Sequence, residues 1–299
     1  LPWLYPQSSA GVQRALEANR ATIDSSTIED WLPEYRLTRA DGTTRGTLLD
    51  CGNVHHPADF AGFDVVSVID LDLAEGLRGA GLEPSANAVG VLASGQTVSA
   101  SMDRFYVATT RWLPPSTGDE SVDDDWIGRW SEDFVTEIHA FATSPGSPTT
   151  YVASGNVPGT LLNQFSLDEH RGDLRVVHTE GSPWNEQNLS ETFLTVLRED
   201  GDRLVEIGSV GGLGRGERLY SARLMGDVGF AVTFREIDPF YVLDLSDPTD
   251  PRVTGELKIP GFSTYLHPLG DDLVLGIVLD ALETGQVMGL KLSLFDVSD

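Results

Sequence analysis

Along residues 217–260, ERLYSARLMGDVGFAVTFREIDPFYVLDLSDPTDPRVTGELKIP, short apolar runs rich in β-branched and aromatic residues are broken by Gly, Pro and Asp. No helical period runs through them, and segments of this length and punctuation are strand signals. Four strands follow in succession: Arg218–Arg223, Val228–Phe234, Phe240–Leu245 and Val253–Ile259. Met-Gly-Asp marks the first turn, Asp-Pro the second and Ser-Asp-Pro-Thr-Asp-Pro the third.

The same order recurs along the chain. An Asp stands at the turn into each second strand, at Asp103, Asp173, Asp227 and Asp272, and FYVATT, LRVVHT, GFAVTF and LVLGIVL follow. Third strands are EIHAFAT, TFLTVLR, FYVLDLS and LKLSLFDVS; fourth strands are TTYVASG, RLVEIGSV and RVTGELKI. The turns that enter inner strands also match: Val157-Pro158-Gly159, Ile259-Pro260-Gly261, and between them the Gly-rich GGLGRGE. Pro followed by Gly suits a turn whose second central residue takes positive φ. Upstream, TLLDCGNV, DVVSVIDLDL and ANAVGVLA read as further strands. Three complete repeats, a fourth lacking its last strand and an N-terminal partial repeat predict an all-β chain. Its expected fold is a β-propeller of four-stranded antiparallel blades, about five or more in number. The intervals are longer and less even than the ~40–45 residues of a WD repeat. Residues 1–35 differ: Ser8–Asn19 and Thr27–Trp31 carry helix-compatible spacing, with Ser8, Ser9 and Ser26 as candidate caps. They read as a helical lead-in, or the end of a preceding domain, before a propeller domain at 36–299.

YVASGNVPGTLLNQFSLDEHRGDLRVVHTEG, GERLYSARLMGDVGFAVTFREIDPFYVLDLSDP and GELKIPGFSTYLHPLGDDLVLGI resemble secreted bacterial and archaeal proteins with a C-terminal β-propeller domain distantly related to WD40 repeats. VLDLSDPTDPRVTGEL also resembles a repeat named for a Leu-Val-Ile-Val-Asp signature. The resemblance implies an extracytoplasmic propeller, secreted or at the cell surface, and brings no activity with it. The first residues, LPWLYPQSSAG, lack the basic and apolar regions of a signal peptide, so either the chain is cytoplasmic or this is a mature or trimmed form.

Charge narrows the partners. The net charge of −26 argues against nucleic acid or an anionic membrane, because phosphate contacts need Lys and Arg. No run of about 18 apolar residues exists, so no membrane insertion by a helix is expected. The lone Cys51 excludes an intrachain disulfide and a multi-Cys zinc site.

In a propeller, loops from second to third strands open on one face, and four of six tryptophans lie in or at the edge of such loops: Trp112, Trp126, Trp130 and Trp184. Exposed indoles stack on sugars and anchor partner side chains. Folding inward as lids over the blade cores is the other reading. Arg235 and Asp238 flank another such loop. The first loop also carries GDESVDDDW, where Asp123 and Asp125 are candidate calcium ligands, although the spacing is not that of an EF-hand. Inner strands line the channel, and Gln164, Asp168, Tyr265 and His267 are candidate ligand-binding residues there. His55 and His56 near Cys51 do not form a known zinc layout, and GGLGRGE opens no helix, so it is no phosphate loop. Neither Gly-x-Ser-x-Gly nor His-Glu-x-x-His occurs. The expected function is a binding or scaffolding module for a protein or glycan. The alternatives are a hydrolase or lyase with a site assembled across blades, from Asp168, Glu169, His267 and Arg235, and a calcium-stabilised structural surface protein.

Overall fold

The structure is a computed structural model that describes residues 4–6, 8–59, 61–62, 64–71, 88–112, 134–144, 146–185, 188–234, 238–259, 261–270, 272–281 and 287–298. One α-helix, α1 (Ser9–Ser25), opens it. Asn19 turns its amide back to the N-terminal segment, accepting from Leu4 N at 2.9 Å and donating to Leu4 O at 3.0 Å. Ser26 follows the helix as its C-cap and donates to Ile23 O at 2.8 Å. Two strands, β1 (Glu34–Arg39) and β2 (Gly42–Thr47), then pair only with each other.

All remaining strands build sheets that follow chain order. Sheet I holds β3 (Val54–His55), β4 (Val65–Ile69) and β5 (Ala88–Leu92), with β5 central. Sheet II is an antiparallel meander of β6 (Thr97–Ala100), β7 (Arg104–Trp112), β8 (Phe134–Ser144) and β9 (Ser147–Pro158). Sheet III comprises β10 (Thr160–Leu161), β11 (Leu167–His170), β12 (Asp173–Glu180), β13 (Glu191–Asp200) and β14 (Arg203–Leu213). A single parallel pair, Arg203 with Ser154, joins it to sheet II. Sheet IV is β15 (Arg218–Met225), β16 (Val228–Phe234), β17 (Asp238–Asp244) and β18 (Arg252–Ile259); sheet V is β19 (Phe262–Pro268), β20 (Leu273–Ala281) and β21 (Val287–Asp296).

Alternation along each strand sends one set of side chains toward the sheet before and the other toward the sheet after. The core is therefore a series of slabs. Val89 and Val91 of sheet I meet Val107 and Phe141 of sheet II. Tyr106, Ile138 and Ala140, on the other face of sheet II, meet Leu167, Leu174 and Val176. Val177, Leu194 and Val196 then meet Ala222, Tyr241 and Leu243. Phe230, Val232 and Phe240 close the series against Phe262, Leu266, Val274 and Phe295 of sheet V. Stacking of this kind makes each sheet depend on its neighbours.

The turn chemistry follows the sequence at Gly159 and Gly261, where φ is 77° and 92°. Two expected elements differ. TLLDCGNV is not a strand: after Thr47 ends β2, the segment turns through a short 3-10 helix at Cys51–Asn53. Leu49 is buried in it, over a glycine, Gly90, at which any Cβ would stand 2.5 Å from Leu49 Cδ1. Asp238 and Pro239 begin β17 instead of forming a turn, Pro239 facing Lys258 across the ladder.

Candidate functional site

Two places bring functional side chains together. The first is where the inner strands β6, β11, β15 and β19 lie side by side. A 3-10 turn at Gln164–Ser166 leads into β11, with Asn163 Oδ1 accepting from Phe165 N at 2.9 Å. This cap presents the Phe165 ring to two neighbouring sheets. The Arg223 guanidinium from β15 sits 5.0 Å from its centroid, a cation–π distance. Tyr265 from β19 meets its edge at 6.0 Å, and Tyr265 Oη lies 3.4 Å from His267 Nδ1. Arg223 Nε has no hydrogen-bond partner among the described residues. Gln164, in the same turn, is exposed.

Asp168 has a different place. Its carboxylate accepts from Arg175 Nε at 3.1 Å and from Arg175 Nη2, while Arg175 Nη1 donates to Gly226 O in the β15–β16 turn. Arg175 is 4 % exposed at its side chain, so the pair ties sheet III to sheet IV. Glu169 Oε1 accepts from Gly172 N at 2.7 Å. Both carboxylates are thus already engaged in holding β11 and its turn.

The second place is the loop between β12 and β13. Glu180 faces Glu191 across the last pair of the ladder. Burial, and then the charge of Glu191, push the Glu180 carboxyl upward from its ordinary value. Beyond this pair Gly181 takes φ 68°, a left-handed conformation that would crowd any Cβ against Leu189 O at 2.6 Å. Ser182 organises the tip: its carbonyl accepts from Ser190 N at 3.1 Å, its N donates to Asn188 O at 2.9 Å, and its Oγ accepts from Trp184 N at 3.3 Å. Ser190 Oγ donates to Glu217 O at 2.5 Å, fixing the loop base to sheet IV. On this bonded loop the Trp184 indole stands 81 % exposed.

Of the other expected residues, Trp112 ends β7 opposite Phe134, but its side chain lies outside the described residues. Trp126, Trp130, Arg235, Asp123 and Asp125 lie outside them entirely, as does the side chain of Asp238. Among the described residues no group of three His, Cys, Asp or Glu is placed to hold a metal ion, and no helix is long and apolar enough to cross a membrane. Cys51 is exposed; His55 stacks on Tyr151 at 5.2 Å, and His56 Nδ1 lies 3.0 Å from Pro57 O.

Sequence reasoning missed Phe165, whose only trace is an Asn two residues before it that caps the turn into an inner strand. It also missed His139, which is fully buried in β8 with neither ring nitrogen bonded among the described residues. A cavity of about 10 Å³, lined by Asp59, Glu137, Ser154 and Asn156, adjoins it, room for one water. A wider cleft of about 600 Å³ runs along the seam of sheets I and II, walled by Val66, Val68, Phe105 and Val107 of their shared core.

Comparison with known proteins agrees with this architecture. The family described as "Beta propeller domain" matches residues 9–299. An uncharacterized protein of Archaeoglobus fulgidus is 52 % identical over 144 residues, 48 % of this chain and 21 % of that protein. An uncharacterized protein of Methanocaldococcus jannaschii is 47 % identical over 148 residues, 50 % of this chain and 22 % of that protein. The match thus spans about a fifth of the length of each of these curated relatives.

Proposed function

The chain belongs to the β-propeller domain family, and on that premise we propose that it is an extracytoplasmic binding module whose sheets are blades of a ring, sheets II and IV being complete four-stranded ones. Its ligand is taken on the face that carries the β12–β13 loop. The observation that carries this reading is Trp184, an indole left in water on a loop whose backbone is tied down at both ends. An ordered aromatic gives up little conformational entropy on binding.

A glycan fits better than a protein surface. The loop base holds two facing carboxylates, Glu180 and Glu191, the latter with Oε1 already accepting from Gly212 N at 2.7 Å and Oε2 left over; carboxylates accept from sugar hydroxyls while an indole covers the apolar face of a ring. The net charge of −26 favours a neutral ligand over an anionic one.

Titration of the protein with a panel of neutral oligosaccharides, followed by calorimetry, tests the reading. Trp184→Ala should weaken the bound member tenfold or more and leave the melting temperature within about 1 °C, since exposed positions contribute little to stability. Equal affinity of the variant and the parent, or no binding across the panel at millimolar sugar, would refute it.

A further inference from the structure

The inner strands β15 and β19 carry the same irregularity. In β15 the ladder slips between Leu219 and Ser221, and in β19 between Ser263 and Tyr265, so Tyr220 and Thr264 are each an extra residue. A bulge of this kind shifts the alternation by one and re-aims the side chains that follow. After it Ala222 and Leu224 share a face with Leu219 in the core against sheet III, and Leu266 shares the buried face of Ser263. The alternate positions turn away from those faces: Arg223 in β15, Tyr265 and His267 in β19. Arg223 faces Phe230 and His267 faces Leu275, each the third residue of the strand that follows. The two basic residues are therefore counterparts in successive sheets.

Arg223 is half-buried, yet among the described residues no oxygen accepts from its guanidinium. Acids of the neighbouring strand and turn are already taken: Asp168 by Arg175, Glu169 by Gly172 N, and Asp227 by His170 at 3.3 Å and Arg171 at 3.2 Å. What Arg223 does meet is the Phe165 ring, 5.0 Å away. Stacking covers one face of a guanidinium and leaves its N–H edge open in the plane, where Nε–H and one Nη–H form a fork that fits a carboxylate or a phosphate. Phe165 also meets Tyr265 at 6.0 Å, and the Tyr265 ring lies 6.2 Å from that of His267. The same turn holds a second donor, Ser166 Oγ, fully buried and without a partner among the described residues. Unmet donors in a partly buried place cost free energy that an acceptor recovers.

We infer that Arg223, with Tyr265 and His267 gathered to it through Phe165, is a binding site for a small oxyanion, a carboxylate or a phosphate monoester. The fork of Arg223 is its anchor, and His267, at the same position of the next sheet, brings a second basic group. The net charge of −26 opposes an anion only through a long-range field, which salt screens beyond about 8 Å at physiological ionic strength. The fork acts at contact. This site is separate from the one at Trp184: the β12–β13 loop is bonded to Glu217 O, next to the start of β15, whereas Arg223 lies near the other end of that strand. Either can fail without the other.

Nuclear magnetic resonance of the arginine Nε–H groups tests the inference, with sodium phosphate and sodium acetate as probes against sodium chloride at fixed ionic strength. Arg223→Lys identifies the Arg223 signal by its loss. The expected result is a downfield, saturable shift of that signal with a midpoint in the low millimolar range, while the signals of the other arginines stay in place. A response to phosphate alone marks a phosphate site, to acetate alone a carboxylate site, and to both a site for the shared oxyanion chemistry. Arg223→Gln should then bind the effective probe at least tenfold more weakly in calorimetry, with a melting temperature within about 3 °C of the parent, since the side chain it loses makes no hydrogen bond. No saturable shift from either probe up to about 50 mM, the same shift from chloride, or undiminished binding by Arg223→Gln overturns the inference. The titration of the parent protein decides the matter even where a variant fails to fold.

Discussion

Replacing Phe240 by Ala measures how much one sheet-to-sheet slab contributes. Phe240 is 2 % exposed; its ring stacks on Phe295 of sheet V at 4.7 Å and 15°, and lies 5.8 Å from Phe230. Truncation removes the transfer free energy of the ring and leaves a cavity between two sheets whose backbones are held by their own ladders. The cost is about 3–5 kcal/mol, of which roughly 0.5–1.5 kcal/mol is the aromatic pairing with Phe295. Against a total stability of about 5–15 kcal/mol, that is a large part of what holds the fold.

Urea denaturation followed by far-ultraviolet circular dichroism reads the effect. The midpoint should fall with little change in slope, since the surface exposed on unfolding is nearly the same. Phe240→Leu keeps most of the volume and should cost about 1 kcal/mol, and Leu257→Ala, half-exposed on β18, at most about 0.5 kcal/mol. Phe295→Ala combined with Phe240→Ala should fall short of the sum by at least about 0.5 kcal/mol, because the two rings share one contact. A cost below about 1 kcal/mol for Phe240→Ala, or strict additivity with Phe295→Ala, would refute the packing of sheet IV on sheet V.

Acid should weaken the fold before its carboxylates protonate. Burial pushes the imidazoles of His139 and His178 down to about 4, so the folded state resists protons that the unfolded chain takes up near 6.5. Their contribution is complete above pH 6.5 and is lost as pH falls toward 4, by about 3 kcal/mol apiece. Urea midpoints between pH 7.5 and 5 check this, and a flat profile there, or one that His139→Asn with His178→Asn does not flatten, refutes it. Calcium at Asp123 and Asp125 remains a proposal, tested by melting in excess EDTA and then in millimolar calcium at fixed ionic strength; a clear rise that Asp123→Asn with Asp125→Asn abolishes supports it, and no shift refutes it.

Elements whose signal is local were legible in the sequence. Val228–Phe234 is a strand with those limits because Gly226 and Asp227 end the preceding hairpin arm and the run between is β-branched and aromatic. Segment 48–53 was not, since its apolar residues serve a contact 41 residues downstream: Leu49 fills the space that Gly90 leaves by having no side chain. Asp238-Pro239 reads as a turn by composition, yet Pro is tolerated at the start of a strand, where a missing donor matters least. The site divides in the same way. For Trp184 the loop was legible, but whether the indole folds inward or stands out was left open, and the structure leaves it 81 % exposed. The Phe165–Arg223 contact was not, because its partners are 58 residues apart and meet only when sheets III and IV stack.

That distinction also explains why β21 is informative. Its sequence, Val287–Asp296, has Leu at 290, 292 and 294, the alternation of a strand with one face meant for burial. In each of the four slabs a face of this kind is covered by the next sheet in the chain. The Asp296–Ser298 turn repeats the one that leads from β17 into β18. β21 thus repeats the pattern of β17, with Leu292 and Leu294 at the positions of Phe240 and Val242.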